Sequence, residues 1–255
     1  MKKYRLPEKI NESIVDGIIV GYKDYLRVRK EAARNLKVHG AYAWVKGNHI
    51  DHHVAVQCEN HGVDNEVSSA GVTWKYLMFY IKDTNSLFLI KNARYFDPEA
   101  VDKGKDTYGK TKSKKSAYME EFIKINREIE FPCAVINNKS GHSLQLELFE
   151  DYPFETITKE SASEIAKQHR RFYIVTYEIA EDYLINAIKI WMPNPINNRA
   201  YLVQDLSELI NTKPSHIIEI EDETKAILRN SEFEPDASLF DIEITDEESD
   251  EVIGQ

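Results

Sequence analysis

Between Asn11 and Lys37, apolar side chains return every three or four residues, at Val15, Ile19, Tyr22, Leu26, Ala33 and Leu36. That spacing lays a stripe along one face and predicts a long amphipathic helix near the N-terminal end. Gly17 and Gly21 weaken its first turns, so the helix is expected to be irregular or to start late. From Ala41 the period shortens. Residues 41–46, 50–58, 74–82 and 87–95 read as strands, and the polar tetrapeptide Asp83-Thr84-Asn85-Ser86 joins the last two as a hairpin turn. Residues 61–65 and 68–71 read as loops. A second helix is predicted over 117–130, where Tyr118, Phe122, Ile125 and Ile129 keep helical spacing.

The second half opens with strand patterns at 133–137 and 144–149. A helix over 161–170 follows, with Ser161 as N-cap and Glu164 three residues on, the pattern of a capping box. Two strong strands, 172–179 and 184–191, are linked by Ala180-Glu181-Asp182-Tyr183, and Pro193 and Pro195 close the second. A short helix over 206–210 and an apolar-acidic segment at 217–220 complete the pattern. Strand pairs recur, each followed by a helix, without regular βαβ alternation. The class is therefore α+β: a mainly antiparallel sheet, an N-terminal amphipathic helix and two or three further helices. The body spans 1–215, any boundary between two lobes would fall near 102–116, and 216–255 forms an acidic, partly disordered tail.

Composition changes this picture in one respect. The 255 residues carry a formal charge of −10, but residues 1–130 hold 23 lysines and arginines against 18 acids. The deficit lies at the other end, where 216–255 has 14 acids opposed only by Lys225 and Arg229. Such asymmetry suggests an interaction tail. At 42% hydrophobic residues the chain can build a core, and no apolar run reaches the roughly 20 residues a membrane span needs. The basic start lacks the apolar segment of a secretory signal. Cys58 and Cys133 form no CxxC pair and read as reduced core thiols, which fits a cytoplasmic protein.

Two basic clusters are the first candidate chemistry. Lys23, Arg27, Lys30, Arg34 and Lys37 step by four and three residues, so five cations share one helical face. Lys103, Lys105, Lys110, Lys112, Lys114 and Lys115 crowd a loop without aliphatic side chains. Together they could neutralise several phosphates, with Tyr25 and Tyr108 stacking on unpaired bases. The acidic tail could fold back on the same cations and compete with phosphate, so that removing 231–255 would strengthen binding.

The second candidate is the stretch His49 to His53. On a strand, His49, Asp51 and His53 share a face, with His52 opposite and Cys58 and His61 beyond. These are metal-ligand types, but a strand spreads them over about 13 Å, so a third ligand from Glu59, Glu66 or Asp83 would be needed. A divalent metal is the one cofactor this cluster would take; the rest of the chain calls for none. A metal-dependent nuclease could also draw on Asp83, Lys91, Glu147 and Glu178, although Leu89 stands where a restriction-type D…(D/E)xK core needs an acid. The Arg34…His39 spacing of one group of helical ribonucleases is also present, in a context that does not suit it.

The run from Ser86 to Phe96, the helix ending Phe122-Ile123-Lys124-Ile125-Asn126, and the stretches 173–179 and 188–195 together resemble an uncharacterised protein family of low-GC Gram-positive bacteria and their phages. The resemblance spans roughly 11–212 and implies a bacterial or phage cytosolic setting. It supplies no catalytic residues. The expectation is a non-catalytic interaction or regulatory protein that contacts nucleic acid or an acidic protein through the basic face and loop. The alternative is a metal-dependent nuclease or hydrolase.

Overall fold

The computed structural model describes residues 1–70, 74–132 and 159–229. The strand patterns at 133–137 and 144–149, and the chain beyond Arg229, lie outside them. Among the described residues, five α-helices pack around one six-stranded sheet ordered β1-β2-β3-β4-β5-β6. β1 (Val63–Ala70), β2 (Trp74–Ile81) and β3 (Ser86–Asn92) form one antiparallel meander, and β4 (Arg171–Ile179), β5 (Ile185–Pro193) and β6 (Ala200–Asp205) form another. The two join where β3 runs parallel to β4, Ser86 facing Arg171 and Asn92 facing Tyr177. The α+β, mainly antiparallel architecture is thus present, and the sheet runs unbroken across the lysine-rich loop.

Strand alternation builds two cores. Along β4, Tyr173, Val175 and Tyr177 face one layer, while Phe172 and Ile174 face the other. The first layer holds α1 (Glu8–Asn35) and α2 (Lys46–Cys58), which bury Ile14, Ile18, Tyr22, Ile50 and Val54 against Phe79, Phe88 and Ile190. The second holds α3 (Ala117–Ile123) and α4 (Lys159–Gln168), with Met119, Phe122 and Ala162 over Leu87 and Leu89. Among the described residues no helix is long and apolar enough to cross a membrane.

Several sequence expectations change. α1 is helical from Glu8, without a late start, because Gly17 and Gly21 are the positions at which α2 crosses it. A Cβ on Gly17 would stand 2.4 Å from the Val54 Cα, and one on Gly21 would stand 2.7 Å from the His49 carbonyl oxygen. The expected strand over 50–58 is α2, since Ile50, Val54 and Cys58 recur every fourth residue and all three are buried. Residues 41–46, also expected to be extended, contain a 3-10 turn (Gly40–Ala43) and the start of α2. The loops expected over 61–65 and 68–71 fall largely within β1, an edge strand whose exposed Asp64, Asn65 and Glu66 lack an apolar alternation. Ser161 lies inside α4 and is not its cap. The acidic end also starts with order: α5 spans Asp222–Arg229.

A buried asparagine helps tie the second meander to the α3 side. Asn126, fully buried, donates from Nδ2 to the carbonyls of Phe172 and Pro193, both at 2.9 Å, and its Oδ1 accepts from the Phe172 amide at 2.8 Å. Asn126→Ala strands all three groups. It is expected to lower the unfolding free energy by about 2 kcal/mol, read from urea midpoints.

Candidate functional site

A cleft of about 160 Å³ opens where the carboxyl ends of β3 and β4 meet the start of α2 and the loop after β3. In open sheets with parallel pairing, crevices beyond the strands' carboxyl ends are the usual ligand sites. Here the position follows from connectivity. β3 and β4 are the one parallel pair among the described strands, so their ends point the same way, and long connections must lead away from them.

Five lysines line the cleft, delivered by four segments of the chain: Lys46 from α2, Lys75 from β2, Lys91 from β3, and Lys103 and Lys112 from the loop. Two acids accompany them, and both carry structural contacts. Asp102 receives Lys115 Nζ at 3.2 Å and Asn198 Nδ2 at 3.0 Å. Asp51 accepts the Leu77 amide at 3.0 Å, and its burial pushes the carboxyl up to about 7. Aromatic rings supply much of the remaining wall, among them Trp44, Tyr95, Tyr118 and Tyr177. Trp44 is 41% exposed. Lys91 Nζ donates to the Tyr118 hydroxyl at 3.2 Å and lies 5.7 Å from that ring's centre.

The start of α2 adds positive potential without a side chain. Val45 provides no side-chain cap, and the first turn, Lys46-Gly47-Asn48, forms part of the cleft wall. Amides in a first turn have no acceptor within the helix, and the helix dipole places about half a positive charge there. A Cβ on Gly47 would meet nothing within 4 Å, so this turn faces open space.

The lysine-rich loop is ordered by hydrogen bonds. Lys105 bridges Thr111, Asp106 Oδ1 accepts from the Tyr108 and Lys110 amides at 2.9 Å, and Thr111 Oγ1 donates to Asp97 Oδ2 at 2.5 Å. It forms a small hairpin on the rim of the cleft. This arrangement divides the expected loop cations: Lys103 and Lys112 face the cleft, Lys110 and Lys114 are exposed on the hairpin, and Lys115 pairs with Asp102 and Glu120. Tyr108, at the hairpin tip, is 80% exposed.

The cations on the basic face of α1 have partners within the chain. Lys23 Nζ donates to the carbonyls of Ser215 and Ile217, Arg27 pairs with Asp24 and Glu31, and Lys30 and Arg34 pair with Glu221 and Glu223. Lys37 is exposed beyond the helix end. Tyr25, expected to stack on bases, is buried beside Tyr22. Arg34 and His39 do not form a pair; the His39 carbonyl accepts Arg29 Nη1 at 3.0 Å.

The histidine cluster also changes. On a helix, residues two apart point to nearly opposite sides, so Asp51 parts from its neighbours and turns to β2. His49 and His53, four apart, share the face toward α1. His49 Nδ1 lies 2.7 Å and His53 Nε2 3.5 Å from Asp24 Oδ2. Partial desolvation works to raise the Asp24 carboxyl, but hydrogen bonds from Arg27 and His49 prevail and hold it at about 2. Among the described residues no three His, Cys, Asp or Glu side chains are grouped to hold a metal ion, so His49, Asp51 and His53 do not form the expected ligand set. Cys58 is buried, and its thiol is pushed up to about 12, as expected of an inert core cysteine.

Comparison with protein-family models, curated proteins and solved structures finds no match. Sequence reasoning found two of the five cleft lysines in the loop and weighed Lys91 only as a nuclease lysine. Lys46 and Lys75 gave no signal, since each is a lone cation on its own element. A lysine directly after the apolar run Leu87-Phe88-Leu89-Ile90 is the one local sign that β3 ends at a charged surface.

Proposed function

We propose that this protein binds single-stranded nucleic acid, with the cleft at the β3 and β4 ends as its principal contact. The observation that carries this reading is the convergence of five lysines and several aromatic rings on one concavity beside an uncapped helix start. Lysines and first-turn amides suit phosphate, while Trp44 and Tyr95 offer flat faces to unpaired bases. A cleft of about 160 Å³ is of a size to admit a base or a phosphate group. The binding surface thus comprises the loop and the sheet ends, with Tyr108 on the hairpin placed to extend it.

The test is fluorescence anisotropy with short single-stranded and duplex oligonucleotides over a salt series. Single strands are expected to bind more tightly than duplex. The triple variant Lys75→Ala, Lys91→Ala, Lys112→Ala is expected to flatten the log–log salt dependence by about 2, at roughly 0.7 per lost phosphate contact. Trp44→Ala is expected to cost about 1–3 kcal/mol on single strands and little on duplex. Equal binding of wild type and the triple variant would refute the assignment.

A further inference from the structure

The charges on α1 form a second, separate pattern. Lys23, Arg27, Lys30 and Arg34 run along about 16 Å of helix at 1.5 Å per residue. Across them lies the chain's own segment 217–223, entering α5. Arg34 holds Glu223 with two parallel bonds, Nε to Oε1 at 3.0 Å and Nη2 to Oε2 at 2.6 Å, the fork geometry that also suits phosphate. Lys30 Nζ lies 2.5 Å from Glu221 and 3.7 Å from Glu223. Behind these contacts a space of about 230 Å³ remains between Lys23, Leu26, Arg27 and Lys30 on the helix and Ile218 and Thr224 on the segment. Ile218 and Ile220 pack only partly against the core. The segment therefore rests on α1 through its carboxylates and the Lys23 bond to the Ile217 carbonyl, with only partly buried apolar side chains between.

We propose that this cationic stripe is a second binding surface for a nucleic-acid phosphate backbone, and that the segment carrying Glu221 and Glu223 is its built-in competitor. Exposed ion pairs of this kind are weak and screened by salt, so a polyanion can exchange for them. The assignment does not depend on the cleft, because its cations lie on a different helix. Both competing acids lie upstream of residue 231, so truncation at 231–255 would leave them in place.

The full-length chain with Glu221→Gln and Glu223→Gln tests this directly, using a fluorescein-labelled 20-mer of thymidylate. At about 50 mM salt the variant is expected to bind about tenfold more tightly, and its log–log salt slope is expected to steepen by about 1.4, two freed cations at 0.7 each. Adding Lys30→Ala and Arg34→Ala should cancel both changes. Glu59→Gln with Glu208→Gln, the same change in net charge elsewhere, should produce neither. The gain should persist in the Lys75, Lys91, Lys112 triple-alanine background, which separates this surface from the cleft. Three results would overturn the proposal: no gain, an equal gain in the control, or a gain that survives loss of Lys30 and Arg34.

Discussion

Gly17→Ala combined with Gly21→Ala should lower the unfolding free energy by about 4 kcal/mol, a large share of the 5–15 kcal/mol typical of a folded protein. Helix propensity alone predicts the opposite, since alanine is favoured over glycine by about 1 kcal/mol per site. Packing reverses the sign. Each new methyl would meet backbone atoms of α2, the Val54 Cα at 2.4 Å and the His49 carbonyl oxygen at 2.7 Å. Backbone cannot rotate away as a side chain can, so relief requires α1 and α2 to separate. Overpacking commonly costs about 1–3 kcal/mol per site, and contacts this short belong at or above the top of that range. Separation would also expose Ile14, Ile18, Ile50 and Val54, all buried at this crossing. Urea unfolding should show a lower midpoint with an unchanged slope. Gly47→Ala, which has open space around its Cβ, should keep the wild-type midpoint or raise it slightly.

A second large effect should appear as pH dependence at Asp51. Burial raises its carboxyl from 3.8 to about 7, and the one opposing influence is the bond from the Leu77 amide. A carboxyl raised on folding contributes stability that is complete below its unfolded value and lost as pH rises through the folded one. The window here is pH 4 to 7. Asp51→Asn keeps an oxygen for the Leu77 amide and removes the titration. The variant should match wild type near pH 4 and exceed it at pH 8 by on the order of 4 kcal/mol, at 1.36 kcal/mol per unit. Asp24 acts in the other direction: its contribution is present above pH 3.8 and lost as pH falls toward about 2. Parallel midpoint curves for wild type and Asp51→Asn from pH 4 to 8 would show that the carboxyl stays ionised in the fold.

The elements that could be read from the sequence are those whose period matches a single environment. α1 has one buried stripe, and β4 places apolar residues in both cores because helices cover both faces there. α2 was obscured by its own composition. Its histidines and β-branched valines imitate alternation, while the spacing that decides, Ile50-Val54-Cys58, contains only three residues. β1 was missed because an edge strand with one pairing partner tolerates Asp64, Asn65 and Glu66 on its exposed positions. The parallel register of β3 on β4 has no local code at all: it depends on where the crossover through α3 and α4 returns. The cleft inherits that difficulty, since Lys46, Lys75, Lys91 and Lys112 are adjacent only once that register is set. The basic stripe on α1 was legible as a pattern, but its pairing with Glu221 and Glu223 joins residues 191 and 189 positions apart.

The seam between β3 and β4 has a consequence for the order of assembly. Each meander is built from neighbouring hairpins with short loop closures, whereas the seam joins residues some 85 positions apart, Ser86 to Arg171. Contacts of such separation form late, because closing the intervening loop costs entropy before any pairing is gained. Two half-sheets should therefore gain protection from hydrogen exchange early, and the β3 amides facing β4 last. The cleft exists only after that final closure, so oligonucleotide binding during refolding should lag behind secondary structure and report the docking of the two halves.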